Sequence, residues 1–157
     1  MNNQEMELYR AAAMTFEQLG FMFLTPEFEE ERSADGIQAA ATVEFDGPVT
    51  GRLIVTANGE LLQPLAANML GLDEASEAEQ RDALGEISNV VCGNVMPRIA
   101  QSSEAFRIQS PRVVLGGIPG DWNAGSPSVK VSLPFEDGRA DVFLYVSGDL
   151  GGQGPVQ

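Results

Sequence analysis

Histidine is absent from this 157-residue chain, and cysteine occurs once, at Cys92. Without imidazole there is no Ser-His or Cys-His nucleophile pair, and no imidazole acid, base or metal ligand. A single thiol makes neither an intrachain disulfide nor a thiolate zinc cluster, so Cys92 is expected to pack as a small apolar residue. Basic residues are also scarce: Lys and Arg total 9 against 23 Asp and Glu, a formal charge of -14. Such a chain repels a nucleic-acid backbone or an anionic membrane surface on average, and neither is expected as a partner. No stretch approaches the roughly 18 consecutive apolar residues of a membrane span, and the opening MNNQEMELYR has no basic segment followed by an apolar run. A cytoplasmic protein is the expectation. Phosphate loops of the GxxxxGK[ST] type and a GxGxxG after a strand are missing, and the glycines of GGIPGDWNAGSPS, residues 116–128, fall in a loop with two prolines. Any chemistry must use carboxylates, amides and hydroxyls.

What is present is a core. With 43% hydrophobic residues, residues 1–148 are expected to form one domain, followed by a flexible glycine-rich tail over 149–157. Leu8, Ala12, Phe16 and Leu19 have helical spacing within residues 5–19, with Gly20 as the stop. FMFLTPEFEEERSADG reads as a short extended piece and a solvated connection. Residues 37–45 and 51–57, separated by Asp46, Gly47 and Pro48, read as a hairpin. A helix is expected over residues 59–70, starting near Pro64 and ending at Gly71. The next helix has Ser76 as its N-cap, with Glu79 completing a capping box. It is expected to reach about Val95, with Pro97 kinking or ending it. Short strands follow at 106–109 and 112–115. The last feature is a hairpin in which Val129, Val131, Leu133 and Phe135 alternate with polar residues before the Asp137-Gly138 turn and a return over 140–146.

The halves resemble one another weakly. A helix containing Glu17 precedes FDGPVTGRLIVT, with Phe45, Gly51 and Arg52; a helix containing Glu86 precedes LPFEDGRADVFL, with Phe135, Gly138 and Arg139. Two copies of helix, strand, strand predict a single α/β (α+β) domain with a pseudo-twofold axis, a mainly antiparallel sheet and long helices on one face.

The stretch DALGEISNVVCGNV, residues 82–95, carries the functional signal. Gly85, Gly93 and Asn89 weaken this helix by roughly 2 to 3 kcal/mol relative to good helix formers. Asp82, Glu86, Asn89 and Gly93 follow spacings of four, three and four and so share one stripe, while Leu84, Ile87, Val91 and Val95 form another that is expected to face the sheet. Gly85 and Gly93 flank the polar stripe, where the lack of side chains would let a partner's backbone come close. The plain alternatives are a solvated Glu86, a locally hydrogen-bonded Asn89, and glycines that let this helix pack closely on the first.

At these residues the sequence resembles the CheC/CheX/FliY family of chemotaxis phosphatases, whose signature is Asp or Ser, three residues, Glu, two residues, Asn, about twenty-two residues, then Pro. DALGEISN supplies Asp82, Glu86 and Asn89, and Pro111 follows after twenty-one intervening residues. Gly93-Asn94, the segment GRLIVTANGELLQPLAANMLG and the closing hairpin are similar to the CheX branch. CheC-type members carry a site in each half, but here Glu17 has Ala13 four residues before it and Gly20 three after it, so the first site is lost. The resemblance implies a homodimer and hydrolysis of the aspartyl phosphate on a CheY-like response regulator, in chemotaxis or another two-component pathway. It further implies that Asn89 positions the water and that Glu86 pairs with the receiver's lysine, with Asp82, Gly85 and Gly93 as partner contacts. The receiver would supply Mg2+, and the chain would bring no cofactor of its own. The competing expectation is a non-catalytic module that binds a receiver or a flagellar switch protein.

Overall fold

The computed structural model describes residues 1–122 and 125–147. The expected tail at 149–157 lies outside them. Helix α1 spans Asn3–Gly20 and is capped by Asn2, whose side chain accepts from the Glu5 backbone while the Glu5 carboxylate accepts from Asn2. This capping box starts the helix two residues earlier than its apolar spacing predicts. The stop is Phe21, not Gly20: Phe21 adopts a left-handed φ of 52° and returns its N–H to the helix.

The acidic segment, expected as a solvated connection, has its glutamates exposed but is helical. Pro26–Phe28 forms a 3-10 turn that runs into a helical turn, α2, at Glu29–Arg32. Proline at the first position presets φ, and glutamates in a first turn favour the helix N-terminus.

Strands β1 (Ile37–Asp46) and β2 (Thr50–Gly59) form the first hairpin. Gly59, with φ of 72°, ends β2, so helix α3 begins only at Leu62 and runs to Leu70, with Pro64 in its first turn. Helix α4, Glu77–Ala100, passes through Pro97 and stops at Gln101. The proline does not end it because the lost amide frees only the carbonyl of exposed Gly93, while Met96, Ile99 and Ala100 pull the last turn into the core. Strands β3 (Arg107–Ile108), β4 (Arg112–Leu115), β5 (Val129–Pro134) and β6 (Gly138–Ser147) complete the chain.

All pairings are antiparallel, in the order β5-β6-β2-β1, with β3 and β4 pairing consecutive stretches along the outer edge of β1. At the centre Val55 faces Val142, and the sequence spacing that relates these two also relates Gly51-Arg52 to Gly138-Arg139. The pseudo-twofold axis therefore passes through this valine pair. Each repeat glycine is required by a close approach: a Cβ on Gly51 would lie 2.0 Å from the Tyr145 carbonyl oxygen, and one on Gly138 2.2 Å from that of Asn58.

Side-chain alternation decides the layers. Ala39, Ala41, Val43, Leu53, Val55, Val131, Leu133, Val142 and Leu144 face the helices, meeting Leu8 and Phe16 of α1, Leu65 of α3, and Leu84, Ile87, Val91 and Val95 of α4. On the opposite face Ala40 and Ile54 are covered by Trp122, brought back by a 3-10 turn at Gly120–Trp122.

Candidate functional site

Helix α4 owes its start to Ser76, whose Oγ accepts from the Glu79 amide while the Glu79 carboxylate accepts from the Ser76 amide. Its burial follows the two expected stripes. Leu84, Ile87, Val91 and Val95 are fully buried, and Asp82, Glu86, Asn89 and Gly93 are exposed. At 1.5 Å per residue, Asp82 and Asn89 sit about 10 Å apart along the axis with Glu86 between them.

The exposed stripe borders a shallow depression of about 440 Å3 whose lining includes Asp82, Gly85, Glu86, Asn89 and Pro111. The residues of the signature, distant in sequence, thus meet at one place. Gly85 plays a different part from the one its spacing predicts. It is buried, and a Cβ there would lie 3.2 Å from Pro111 Cγ and 3.5 Å from Val113 Cγ2. The close approach is made by this chain's own Pro111, so the surface of Gly85 is not available to a partner backbone. Gly93 remains open, with only Ile108 Cδ1 near, 3.7 Å from a Cβ position. Neither glycine packs α4 onto α1.

The polar side chains of the stripe are unengaged. Side-chain hydrogen bonds on α4 and its cap come from Ser76, Glu79, Gln80 and Ser88, and the helix's one ion pair among the described residues joins Arg98 to Glu7 at 3.7 Å. Asp82, Glu86 and Asn89 have no such partner there. Two depressions of similar size, about 460 and 470 Å3, lie under Trp122 on the far sheet face and beside β5. In the first Glu44 is held by Arg52 and Arg112; in the second Asp141 is held by Arg139 and Ser132. Neither size nor unengaged polar side chains separate the three, since Asp121 and Gln109 in the first and Tyr9 and Glu29 in the second also lack side-chain partners among the described residues. Of the three, the depression on α4 is the one that gathers Asp82, Glu86, Asn89 and Pro111.

Cys92, one turn from Ser88, is fully buried, and burial pushes its thiol up to about 12. It is protonated at neutral pH and no nucleophile. Among the described residues no group of three or more His, Cys, Asp or Glu is arranged to hold a metal ion, and no helix is long and apolar enough to cross a membrane. Three lining residues, Arg81, Val90 and Val113, escaped the sequence reading, and two of them bear on the site's shape and charge. Arg81 stands four residues before Gly85, on the helix side that meets Pro111, and Val113 reaches the site from β4. The first could have been found from helical spacing; the second needed the register of β4 on β1.

A sequence model of one protein family, chemotaxis phosphatase CheX, matches residues 39–135. No curated protein matches the chain significantly. Among solved structures, the chemotaxis protein CheX from Vibrio vulnificus is 21% identical, covers 93% of this chain and 97% of its own, and superposes with a TM-score of 0.67. CheX from Desulfovibrio desulfuricans is 17% identical over 93% of this chain and 100% of its own, with a TM-score of 0.69. A CheX-CheY-BeF3-Mg2+ complex from Borrelia burgdorferi matches at 15% identity over 91% of this chain and 97% of that one, with a TM-score of 0.63. These likenesses describe the fold.

Proposed function

The chain belongs to the CheX family of chemotaxis phosphatases, and from that premise we propose that it hydrolyses the aspartyl phosphate of a CheY-like response regulator through the single Glu86–Asn89 site of α4. The observation that carries the proposal is the meeting of Asp82, Glu86, Asn89 and Pro111 around one depression, with the three polar side chains exposed and free of internal partners. A receiver as partner is supported by the similarly folded Borrelia protein, which is held in a complex with CheY, BeF3 and Mg2+.

The chemistry suits these groups. An acyl phosphate in a receiver already has the receiver's Mg2+ and lysine beside it, so the second protein need only hold a water in line with phosphorus. The water oxygen bonds to phosphorus, the P–O bond to the aspartate breaks, and the carboxylate and inorganic phosphate leave. A carboxamide both accepts from and donates to that water while adding no charge beside the phosphoryl oxygens. Asn89 takes that role. Glu86, one helical turn earlier, pairs with the receiver's lysine and fixes the register of α4. Asp82 forms the rim beyond it, and the bare backbone at Gly93 leaves room for the partner at the other end.

On this reading the chain acts in the cytoplasm as a homodimer, and its mass in solution by light scattering tests the latter. The site itself is tested by steady-state dephosphorylation of a CheY-like receiver. Glu86→Ala is expected to raise KM more than it lowers kcat, and Asn89→Ala to lower kcat. Binding without acceleration by the wild-type protein would leave an interaction module instead.

A further inference from the structure

Nine cationic side chains serve a chain of formal charge -14, and most are committed. Arg32, Arg52, Arg98, Arg107, Arg112 and Arg139 lie in ion pairs, and Lys130 lies over the Phe143 ring at 5.3 Å. Among the described residues this leaves Arg10 and Arg81 without a carboxylate or ring. Only Arg81 borders one of the depressions described above, and it is the one cation lining the depression of Asp82, Glu86 and Asn89. It is exposed, and its place four residues before Gly85 puts it on the side of α4 covered by Pro111 and Val113.

Electrostatics make this position consequential. Asp82 and Glu86 give the depression two negative charges, and the chain carries a formal charge of -14, so an anionic group approaching Asn89 meets net repulsion. Among the described residues, the free guanidinium at the rim is the one positive charge lining the depression. Its planar fork matches two oxygens of a carboxylate or a phosphoryl group. Resting on the phosphatase reading, we propose that Arg81 is the anion-binding residue of this site and forms a charge-assisted contact with an anionic oxygen at the receiver's phosphorylation site. The oxygen belongs to the phosphoryl group or to a neighbouring receiver carboxylate; the chemistry of recognition is the same. Arg81 thereby offsets the repulsion that Glu86 and Asp82 impose and sets the affinity of the encounter, leaving the water to Asn89.

The test compares wild type with Arg81→Gln, Arg81→Lys and Asn89→Ala. Binding to a CheY-like receiver is measured with Mg2+ alone and with Mg2+ and beryllofluoride, at low and high salt, alongside KM and kcat on the phosphorylated receiver. Loss of one charge-assisted contact predicts a roughly tenfold or greater rise in Kd and KM for Arg81→Gln, with kcat nearly unchanged and the defect shrinking as salt rises. Arg81→Lys retains charge without the fork and falls between. A defect confined to the beryllofluoride-loaded receiver identifies the phosphoryl oxygens, and an equal defect in both states identifies a carboxylate. Unchanged Kd and KM in Arg81→Gln overturn the proposal, and they do so without touching the phosphatase reading if Asn89→Ala still abolishes turnover. A wild type that neither binds nor dephosphorylates receivers overturns both. Arg81 is exposed, so equal thermal midpoints across the variants are expected and exclude misfolding as the cause.

Discussion

Gly93→Ala separates what α4 needs to fold from what it needs to function. Glycine inside a helix is roughly 1 kcal/mol worse than alanine, part of it from the greater freedom of the unfolded chain. At Gly93 nothing opposes that gain: the position is exposed, and a Cβ would meet only Ile108 Cδ1 at 3.7 Å, an ordinary contact that adds a little dispersion. The variant should therefore be more stable by about 0.5–1 kcal/mol, which for a chain of this size raises the thermal midpoint by roughly 1 to 4 °C. Gly85→Ala supplies the contrast, because its Cβ would press within 3.2 Å of Pro111, and the same helical gain is offset by overpacking. If Gly93 is kept bare for a partner, the stabilised Gly93→Ala protein should bind a receiver more weakly. Urea denaturation and receiver titration on the same preparation decide it. A Gly93→Ala protein that gains stability and keeps full affinity refutes the functional account of this glycine, and one that loses stability refutes the open geometry around it.

Other expectations follow from the interior. The Cys92 thiol, pushed up to about 12 by burial, stays protonated in the folded chain while the unfolded chain ionises near the ordinary value. Its contribution is fully present below about pH 9 and is lost as pH rises, at about 1.4 kcal/mol per pH unit. Urea midpoints of wild type and Cys92→Ala should accordingly converge between pH 9 and higher values, and native Cys92 should resist thiol reagents until the protein unfolds; parallel midpoints, or rapid native labelling, contradict this. Arg139 donates to both oxygens of Asp141 at 2.9 and 3.0 Å, Ser132 donates to the same carboxylate, and Arg139 also donates to the Arg32 carbonyl. Arg139→Ala strands a largely buried carboxylate and should cost about 3 kcal/mol in urea denaturation; a loss below about 1 kcal/mol would contradict the burial of the pair.

Much of the fold was legible because local signals agreed with packing. The capping box at Ser76 and the alternation in 129–135 each specify one structure, and each is present. The turn of the last hairpin falls at Glu136-Asp137, one residue before the expected Asp137-Gly138, because Gly138 already pairs with Gly59 as the first residue of β6. Two of the departures have their cause in contacts distant in sequence. Pro97 is carried inside α4 by the burial of Ile99 and Ala100 beyond it, and the fold of residues 116–122 back over Ile54 is set by Trp122, which has no local pattern to announce it. At the site, the exposed stripe on α4 follows from helical spacing alone. That Pro111 would sit on Gly85 does not, since it depends on β4 pairing with the outer edge of β1. Intrachain packing therefore accounts for Gly85, while Gly93, Glu86 and Asn89 keep the free surface that a partner requires.

The most direct test of the central claim is the single-turnover decay of a phosphorylated CheY-like receiver at saturating concentrations of wild type and of Asn89→Ala, with binding measured in parallel. The account predicts acceleration by the wild-type protein and a loss of about a hundredfold or more of that acceleration in the variant, with affinity retained, since one preorganised polar group in a catalytic site is commonly worth that much. Equal decay with both proteins, under conditions where each is bound to the receiver, would contradict it.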